Sequence, residues 1–267
     1  MPDLDLIADI STAAEAEDGA APFDEATWRA LRHHPDTVRS WGDADAVALL
    51  VGDQLGLVVR PDARRQGRAG RLLADLPPGE LTAWSHGDHP GAAALARSHG
   101  FERVRSLWVM RRRTGAPLPE LPDGPTIRTY TPDDADELIR VNAAAFAHHP
   151  EQGAMDAAEL AERMAEPWFD PAGLLLAVEG DRLLGFHWTK QHSPDLGEVY
   201  VVGIDPTAQG RGLGKLLTLA GLHHLAGLGV AEVLLYVESD NAPAIAVYSG
   251  LGFTHADADT HVMYRRS

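Results

Sequence analysis

Val199-Tyr-Val-Val-Gly-Ile-Asp-Pro-Thr-Ala-Gln-Gly-Arg-Gly-Leu-Gly-Lys215 decides how the rest of the chain is read. An apolar, β-branched strand runs into a glycine-rich turn, and the turn opens into a helix expected over residues 216–228. Glycines at 210, 212 and 214 let the backbone approach a ligand with no Cβ in the way. The free N–H groups of the new helix face the same turn, and the helix dipole adds partial positive charge. Such a turn is a pyrophosphate cradle. No Lys-Ser/Thr pair follows the glycines, which excludes a Walker-type nucleotide loop. The spacing Gln209-x-x-Gly212-x-Gly214 also departs from the dinucleotide pattern Gly-x-Gly-x-x-Gly.

The cradle has an echo. Gly52-Asp-Gln-Leu-Gly-Leu-Val-Val-Arg-Pro-Asp-Ala-Arg-Arg-Gln-Gly-Arg-Ala69 aligns without a gap against Gly197-Glu-Val-Tyr-Val-Val-Gly-Ile-Asp-Pro-Thr-Ala-Gln-Gly-Arg-Gly-Leu-Gly214. Further on, Ala94-Leu-Ala-Arg-Ser-His-Gly-Phe101 matches Ala246-Val-Tyr-Ser-Gly-Leu-Gly-Phe253, and a Met-x-Arg-Arg ending follows each. The chain is therefore read as a tandem duplication. Residues 111–125 carry four prolines, which extend the backbone and forbid helix. The expected division is a first domain over 1–113, abbreviated and non-catalytic, a Pro-rich linker over 114–125, and a catalytic domain over 126–267.

In the second domain the pattern predicts strands at 126–130, 174–179, 182–190 and 197–205, with Glu179-Gly-Asp181 as a hairpin turn. Helices are expected at 133–146 and 156–166. After the cradle helix come a strand at 233–237, a helix at 242–249 and a final strand near 261–265. Asp240-Asn241 before Ala242-Pro243 supplies an N-cap and an early helical proline. The fold class is α/β, with one central, mixed, mostly antiparallel sheet per domain flanked by helices.

The 267 residues carry a net charge of −16, which argues against nucleic-acid or anionic-membrane partners. No segment approaches the roughly 18 apolar residues of a membrane span. The acidic start lacks the basic and apolar regions of a signal peptide, so a cytoplasmic monomer acting on small molecules is expected. There is no cysteine, which excludes disulfides, thiolate metal sites and a cysteine nucleophile. Histidine pairs at 33–34, 148–149 and 223–224 are adjacent residues that point apart on a helix. No metal is expected.

The cradle resembles the acetyl-coenzyme A loop of the GNAT N-acetyltransferases. Acetyl transfer to an amine needs a held thioester, a deprotonated amine, a proton for the leaving thiolate and stabilisation of the oxyanion. Glu198, one residue into the strand that ends at the cradle, is the base candidate; the same position would also suit a solvent-facing strand-edge carboxylate. Tyr248 lies two turns into the helix capped by Asn241. It reads either as a core tyrosine with a satisfied hydroxyl or, as the GNAT resemblance implies, as the acid that protonates the thiolate. Backbone N–H groups around Val202 and Ile204 are expected to face the oxyanion, on a strand splayed by Gly203. The first domain offers Asp53 in place of Glu198, Ala96 in place of Tyr248 and His89 in place of Asn241.

Four phrases are more specific: Arg140-Val-Asn-Ala-Ala-Ala-Phe-Ala-His-His-Pro-Glu-Gln-Gly153, Leu184-Gly-Phe-His-Trp-Thr-Lys190, Gly197-Glu-Val-Tyr-Val-Val-Gly203 and Leu235-Tyr-Val-Glu-Ser-Asp-Asn241. With the tandem layout they resemble the mycothiol synthase family, densely over 126–267 and more thinly over 1–113. The resemblance implies acetylation, by acetyl-CoA, of the cysteinyl amine of cysteinyl-glucosaminyl-inositol, the last step of mycothiol biosynthesis. It implies substrate contacts at Glu25, Glu151, Lys190, Glu198 and Tyr236. Acetyl-CoA would lie along Val202, Gly203 and Ile204, then Gln209, Gly210, Arg211, Gly212, Leu213, Gly214 and Lys215, then Asn241, Ala242, Pro243, Ala244, Ile245 and Ala246. A second acetyl-CoA would meet Leu57, Val58 and Val59, with Arg64, Arg65, Gln66, Gly67, Arg68 and Ala69, where Arg68 and Ala69 depart from a clean glycine loop. Composition alone would make Lys190 a solvated hairpin residue. The rival readings are a GNAT enzyme acting on another amine (a protein N-terminus, a polyamine or an aminoglycoside) and a non-enzymatic acetyl-CoA sensor.

Overall fold

In a computed structural model, residues 3–74, 76–148 and 150–267 are described, the side chains of Pro150 and Glu151 excepted. The chain forms two compact units: Met1–Trp108 with Ala256–Ser267, and Val109–His255.

The first unit opens with helices α1 (Leu4–Asp18) and α2 (Glu25–His33), each begun by an aspartate whose carboxylate accepts from a first-turn N–H. Three six-residue strands follow as an antiparallel meander, β1 (Val38–Asp43), β2 (Ala46–Val51) and β3 (Gln54–Val59). The sequence predicts too short a run here for a full set of hairpins. The set is complete, because two-residue turns leave enough chain for three short strands. Then come α3 (Arg68–Ala74), β4 (Leu81–Ser85), α4 (Pro90–Ser98) and β5 (Glu102–Arg113), whose last five residues belong to the second unit.

The second unit continues with β6 (Thr126–Thr129), α5 (Ala135–Ala145), the helical turn α6 (Pro150–Gly153), α7 (Ala157–Met164), β7 (Leu174–Glu179), β8 (Arg182–Ser193) and β9 (Leu196–Ile204). The cradle helix α8 (Leu213–Gly227) starts three residues before its expected position. β10 (Glu232–Glu238) and α9 (Ala242–Gly250) complete it. Within this unit the strand order is β6-β7-β8-β9-β10 and then the end of β5. All neighbours from β6 to β9 are antiparallel, and β9 pairs with β10 in parallel.

The last strand, β11 (Thr254–Arg266), departs from the expected boundary. From Ala256 onward it belongs to the first unit, where Val262–Arg266 pair antiparallel with β4 from Ser85 back to Leu81. Its Val262 and Tyr264 are buried in that unit's core beside Leu55, Leu81 and Phe101. The first unit's own strands leave an edge at β4, and the chain's end covers it. The proline-rich stretch is also no free tether. Thr114 N–H donates to Ala231 at 3.0 Å, and Arg112 and His223 hold the carbonyls of Ala116 and Pro119, all within the second unit.

The sheet of the second unit has two differently packed faces. Phe186 and Trp188 point to one, into a core with Leu138, Val141, Leu160 and Val201. His187 points to the other, beneath α8, where its Nδ1 lies 2.8 Å from the Leu217 carbonyl oxygen. The ring fits only because residue 221 is glycine, since a Cβ there would fall 2.0 Å from His187 Cε1.

Candidate active site

β9 supplies the frame of the site. Its pairing with β10 runs only from Leu196 opposite Glu232 to Val199 opposite Leu235. Beyond that point β9 stays paired to β8 alone, up to Ile204 opposite Gly185. Asp205 N–H donates to the Leu184 carbonyl at 2.9 Å, so by strand alternation the N–H groups of Val202 and Ile204 face away from β8, toward the open edge. These are the expected oxyanion donors. The cause of the splay differs from the expected one. Tyr200 is an extra residue on β9, between Val199 opposite Thr189 and Val201 opposite Trp188, and this bulge bends the strand. Gly203 serves another end: a Cβ there would lie 2.5 Å from the Phe186 ring.

The open edge leads into the cradle. Asp205, which accepts from the hydroxyl and the N–H of Thr207 and from Arg140 at 3.0 Å, fixes the turn, and these partners, the Thr207 hydroxyl first, hold its carboxyl down to about 2 against burial. Gly210 and Gly212 take left-handed φ of 79° and 75°. Gly212 is the N-cap of α8 and brings no capping side chain, so the N–H groups of Leu213, Gly214 and Lys215 have no acceptor within the helix. A Cβ built at Gly210, Gly212 or Gly214 would meet nothing within 4 Å. That free space, the N–H groups and the exposed Lys215 suit a pyrophosphate. Arg211 is turned to Glu179, with Nη2 at 2.8 Å from the carboxylate. At the other side of the open edge, the Asn241 side-chain Oδ1 accepts from Ala244 N–H at 3.2 Å and starts α9, with Ala242, Pro243, Ile245 and Ala246 in its first turns.

Three of the expected chemical side chains, Glu198, Lys190 and Tyr236, gather where the β9–β10 pairing nears its end. Glu198 stands opposite Lys190 on β8 and Leu234 on β10, and partners across a ladder share a face. Tyr236, two residues beyond Leu234, shares it. Glu198 is buried at 5%, not the solvent-facing carboxylate its strand position would allow. Its Oε2 lies 2.6 Å from His192 Nε2. Lys190 is equally far from a solvated residue: it is 9% exposed, and its Nζ sits over the rings of Trp168 at 4.6 Å and Tyr200 at 5.4 Å. Burial, together with the Glu198 charge and against the pull of Arg111, raises the Tyr236 hydroxyl, although the residue as a whole is 41% exposed. Tyr248 on α9 packs edge-to-face on Phe253, and burial raises its hydroxyl too. Among the described residues that hydroxyl shows no protein partner, unlike a satisfied core tyrosine.

Two further expected contacts are Glu151 and Glu25. Glu151 falls in α6, but its side chain lies outside the described residues. Glu25 belongs to the first unit, where it opens α2 and pairs with Arg29 at 3.3 Å. Sequence reasoning missed His192. It ended the strand at Lys190, whereas β8 runs to Ser193, and the Lys190-x-His192 spacing then puts both side chains on the face of Glu198.

The first unit repeats the frame with altered chemistry. β3 pairs with β4 only at Gln54 and Leu55, and the apolar cavity beyond, of about 100 Å³, is lined by Leu57, Ala83, Trp84 and Ala96 among others. Ala96 occupies the position of Tyr248. Asp53, the counterpart of Glu198, is exposed in the β2–β3 turn. Arg65 takes φ 61° where the other copy has Gly210, and Gly67 takes φ 75° like Gly212. Arg64 makes a two-pronged bond to Asp18, both contacts at 2.7 Å, and Arg68 pairs with Asp43 and Asp45.

The acetyltransferase (GNAT) family matches residues 141–253. A mycothiol acetyltransferase of Nocardioides sp. is 65% identical over 98% of this chain and 97% of its own length. The chain belongs to the mycothiol acetyltransferase family. Another member, from Actinosynnema mirum, is 51% identical over 92% of this chain and 90% of its own. Among solved structures, a tandem GNAT protein from the clavulanic acid biosynthesis pathway superposes with a TM-score of 0.69 at 22% identity, covering 98% of this chain and 95% of that one. A GCN5-related N-acetyltransferase from Sphaerobacter thermophilus gives 0.67 at 23%, covering 98% and 91%. At such identities these two establish the fold alone, and they agree with the α/β, tandem GNAT architecture of this chain.

Proposed function

We infer that the chain transfers the acetyl group of acetyl-CoA to the cysteinyl amine of cysteinyl-glucosaminyl-inositol, the final step of mycothiol biosynthesis. Full-length similarity to mycothiol acetyltransferases supports the acceptor. The observation that carries the chemistry is the buried Glu198 beside Lys190 and Tyr236, at the rung where β9 leaves β10.

The donor lies with its pyrophosphate at Gln209, Gly210, Arg211, Gly212, Leu213, Gly214 and Lys215, and its pantetheine arm along Val202, Gly203 and Ile204 opposite residues 241–246 of α9. Glu198 takes the proton of the substrate ammonium, whose ordinary pKa near 7.7–8.0 lies so close to neutral pH that only about a unit separates it from the free amine. The freed amine nitrogen bonds to the acetyl carbon, the oxyanion meets the outward N–H groups of β9, and the C–S bond breaks. Tyr248 gives its proton to the leaving thiolate. Glu151, Lys190, Tyr236 and Glu25 bind the polar pseudo-disaccharide. Reaction belongs to the unit of residues 109–255. The first unit, lacking the tyrosine and the buried glutamate, holds a second acetyl-CoA at Leu57, Val58, Val59 and the 64–69 loop without turning it over.

Purified protein mixed with acetyl-CoA and cysteinyl-glucosaminyl-inositol is expected to release CoA far faster than with polyamines, aminoglycosides or peptide N-termini. Glu198→Gln is expected to lower kcat by ~10²-fold or more, the usual range for losing a general base. Equal rates with all amines would defeat the acceptor assignment.

A further inference from the structure

A carboxylate that accepts a proton at every turnover must release it before the next one. Burial closes the direct route to water for Glu198, whose side chain is 7% exposed. Its partner at 2.6 Å, His192, has a side chain 32% exposed and so reaches solvent from the same contact. Two local features place the ring there. His192 lies two residues beyond Lys190, on the same face of β8. It is also the extra residue between Gln191, opposite Gly197, and Ser193, opposite Leu196, and such a bulge re-aims its side chain.

We propose that His192 is the positioning residue of Glu198 and the outlet for its proton. The proposal rests on Glu198 being the base. The ammonium nitrogen sheds two protons on its way to the amide: one passes to Glu198 as the C–N bond forms, and the other replaces the proton that Tyr248 gives the thiolate as the C–S bond breaks. Once Glu198 is protonated, exchange with water moves the ring proton from Nε2 to Nδ1. Glu198 then gives its proton across the short contact to Nε2, and the imidazolium loses the Nδ1 proton to water, leaving the Nε2–H ring that donates to the carboxylate. Carboxylate and neutral ring are restored, and no oxidant or further reactant is needed. The groups facing this pair are Lys190 on β8 and Tyr236 on β10, with Arg111 close enough to act on Tyr236. Both sides of the imidazole's chemistry are used: Nε2 fixes which carboxylate oxygen is turned to the substrate, and the partly exposed ring exchanges its proton with solvent.

The test separates orienting from proton release. A glutamine side chain donates to Glu198 as a ring N–H does, yet carries no proton onward. With the full chain, acetyl-CoA and cysteinyl-glucosaminyl-inositol, His192→Gln is expected to lose about tenfold or more in kcat while both KM values stay within about twofold. His192→Ala is expected to be similarly slow and to recover saturably with added imidazole; His192→Phe, which fills the space, is expected not to recover. Should the alanine variant fail to bind acetyl-CoA, His192→Asn with imidazole replaces it. A normal kcat in His192→Gln, or no imidazole response, would overturn the proposal. Glu198→Gln distinguishes the two failures: inactive, with normal His192→Gln, it leaves the base standing and removes the outlet; active, it removes both.

Discussion

Tyr248 and His187 show how burial sets opposite tasks for single side chains. Burial raises the Tyr248 phenol, so it holds its proton at working pH and is available as a donor when charge develops on the leaving sulfur. Tyr248→Phe keeps the ring against Phe253 and removes only the oxygen. Its kcat is expected to fall by ~10²-fold with the KM for acetyl-CoA nearly unchanged; a loss under about threefold would remove the acid role. His187 is pushed down to about 4, first by burial and then by nearby His224, against the bond to Leu217. It is neutral when folded. Below its ordinary pKa near 6.5 the unfolded chain binds a proton that the folded chain refuses, so stability falls as pH drops from 6.5 to about 4 and levels off below. The span corresponds to roughly 3 kcal/mol by linkage. Urea unfolding at several pH values checks this: His187→Gln should flatten the slope relative to the native chain, and an identical slope would refute it.

At the scale of elements, the cradle separates function from stability. Gly214 is helical, and a Cβ there meets no protein atom. By helix propensity, Gly214→Ala should stabilise α8 by up to ~1 kcal/mol. The same methyl group would occupy the free space in front of three unpartnered N–H groups. The expected result is a higher melting temperature with acetyl-CoA affinity at least about tenfold weaker; unchanged affinity would place the pyrophosphate elsewhere. This element was legible because its signal is local: strand, glycines and helix follow one another within seventeen residues. The asparagine cap and proline of α9 were legible for the same reason. Other features depend on partners distant in sequence. The bulge at Tyr200 arises from register against β8, the burial of Lys190 from Trp168, and the placing of β11 from an edge on β4. None of these leaves a mark in a hydrophobic period, so the sequence points to Gly203 for a splay that the Tyr200 bulge produces.

At the scale of the whole molecule, duplication left two copies of one frame with different electrostatics. In the second unit the cradle's helix runs fifteen residues and its N–H groups lack internal acceptors. In the first, α3 has seven residues, and Arg64 and Arg68 are already matched by carboxylates. Asp18 mimics an anion there, bonding Arg64 through both oxygens while largely buried, with a side chain 18% exposed. A phosphate must displace it, and charge-assisted bonds of this sort contribute about 1–3 kcal/mol. Two acetyl-CoA molecules per chain are therefore expected by titration calorimetry, the one in the first unit weaker by about tenfold or more. Asp18→Asn keeps the shape and removes the competing charge. It should tighten the weaker site several-fold while leaving the stronger site and kcat untouched, because neither uses Asp18. One binding event in both proteins would show that the first unit keeps the frame as structure alone, and a fall in kcat would contradict the assignment of turnover to the second unit.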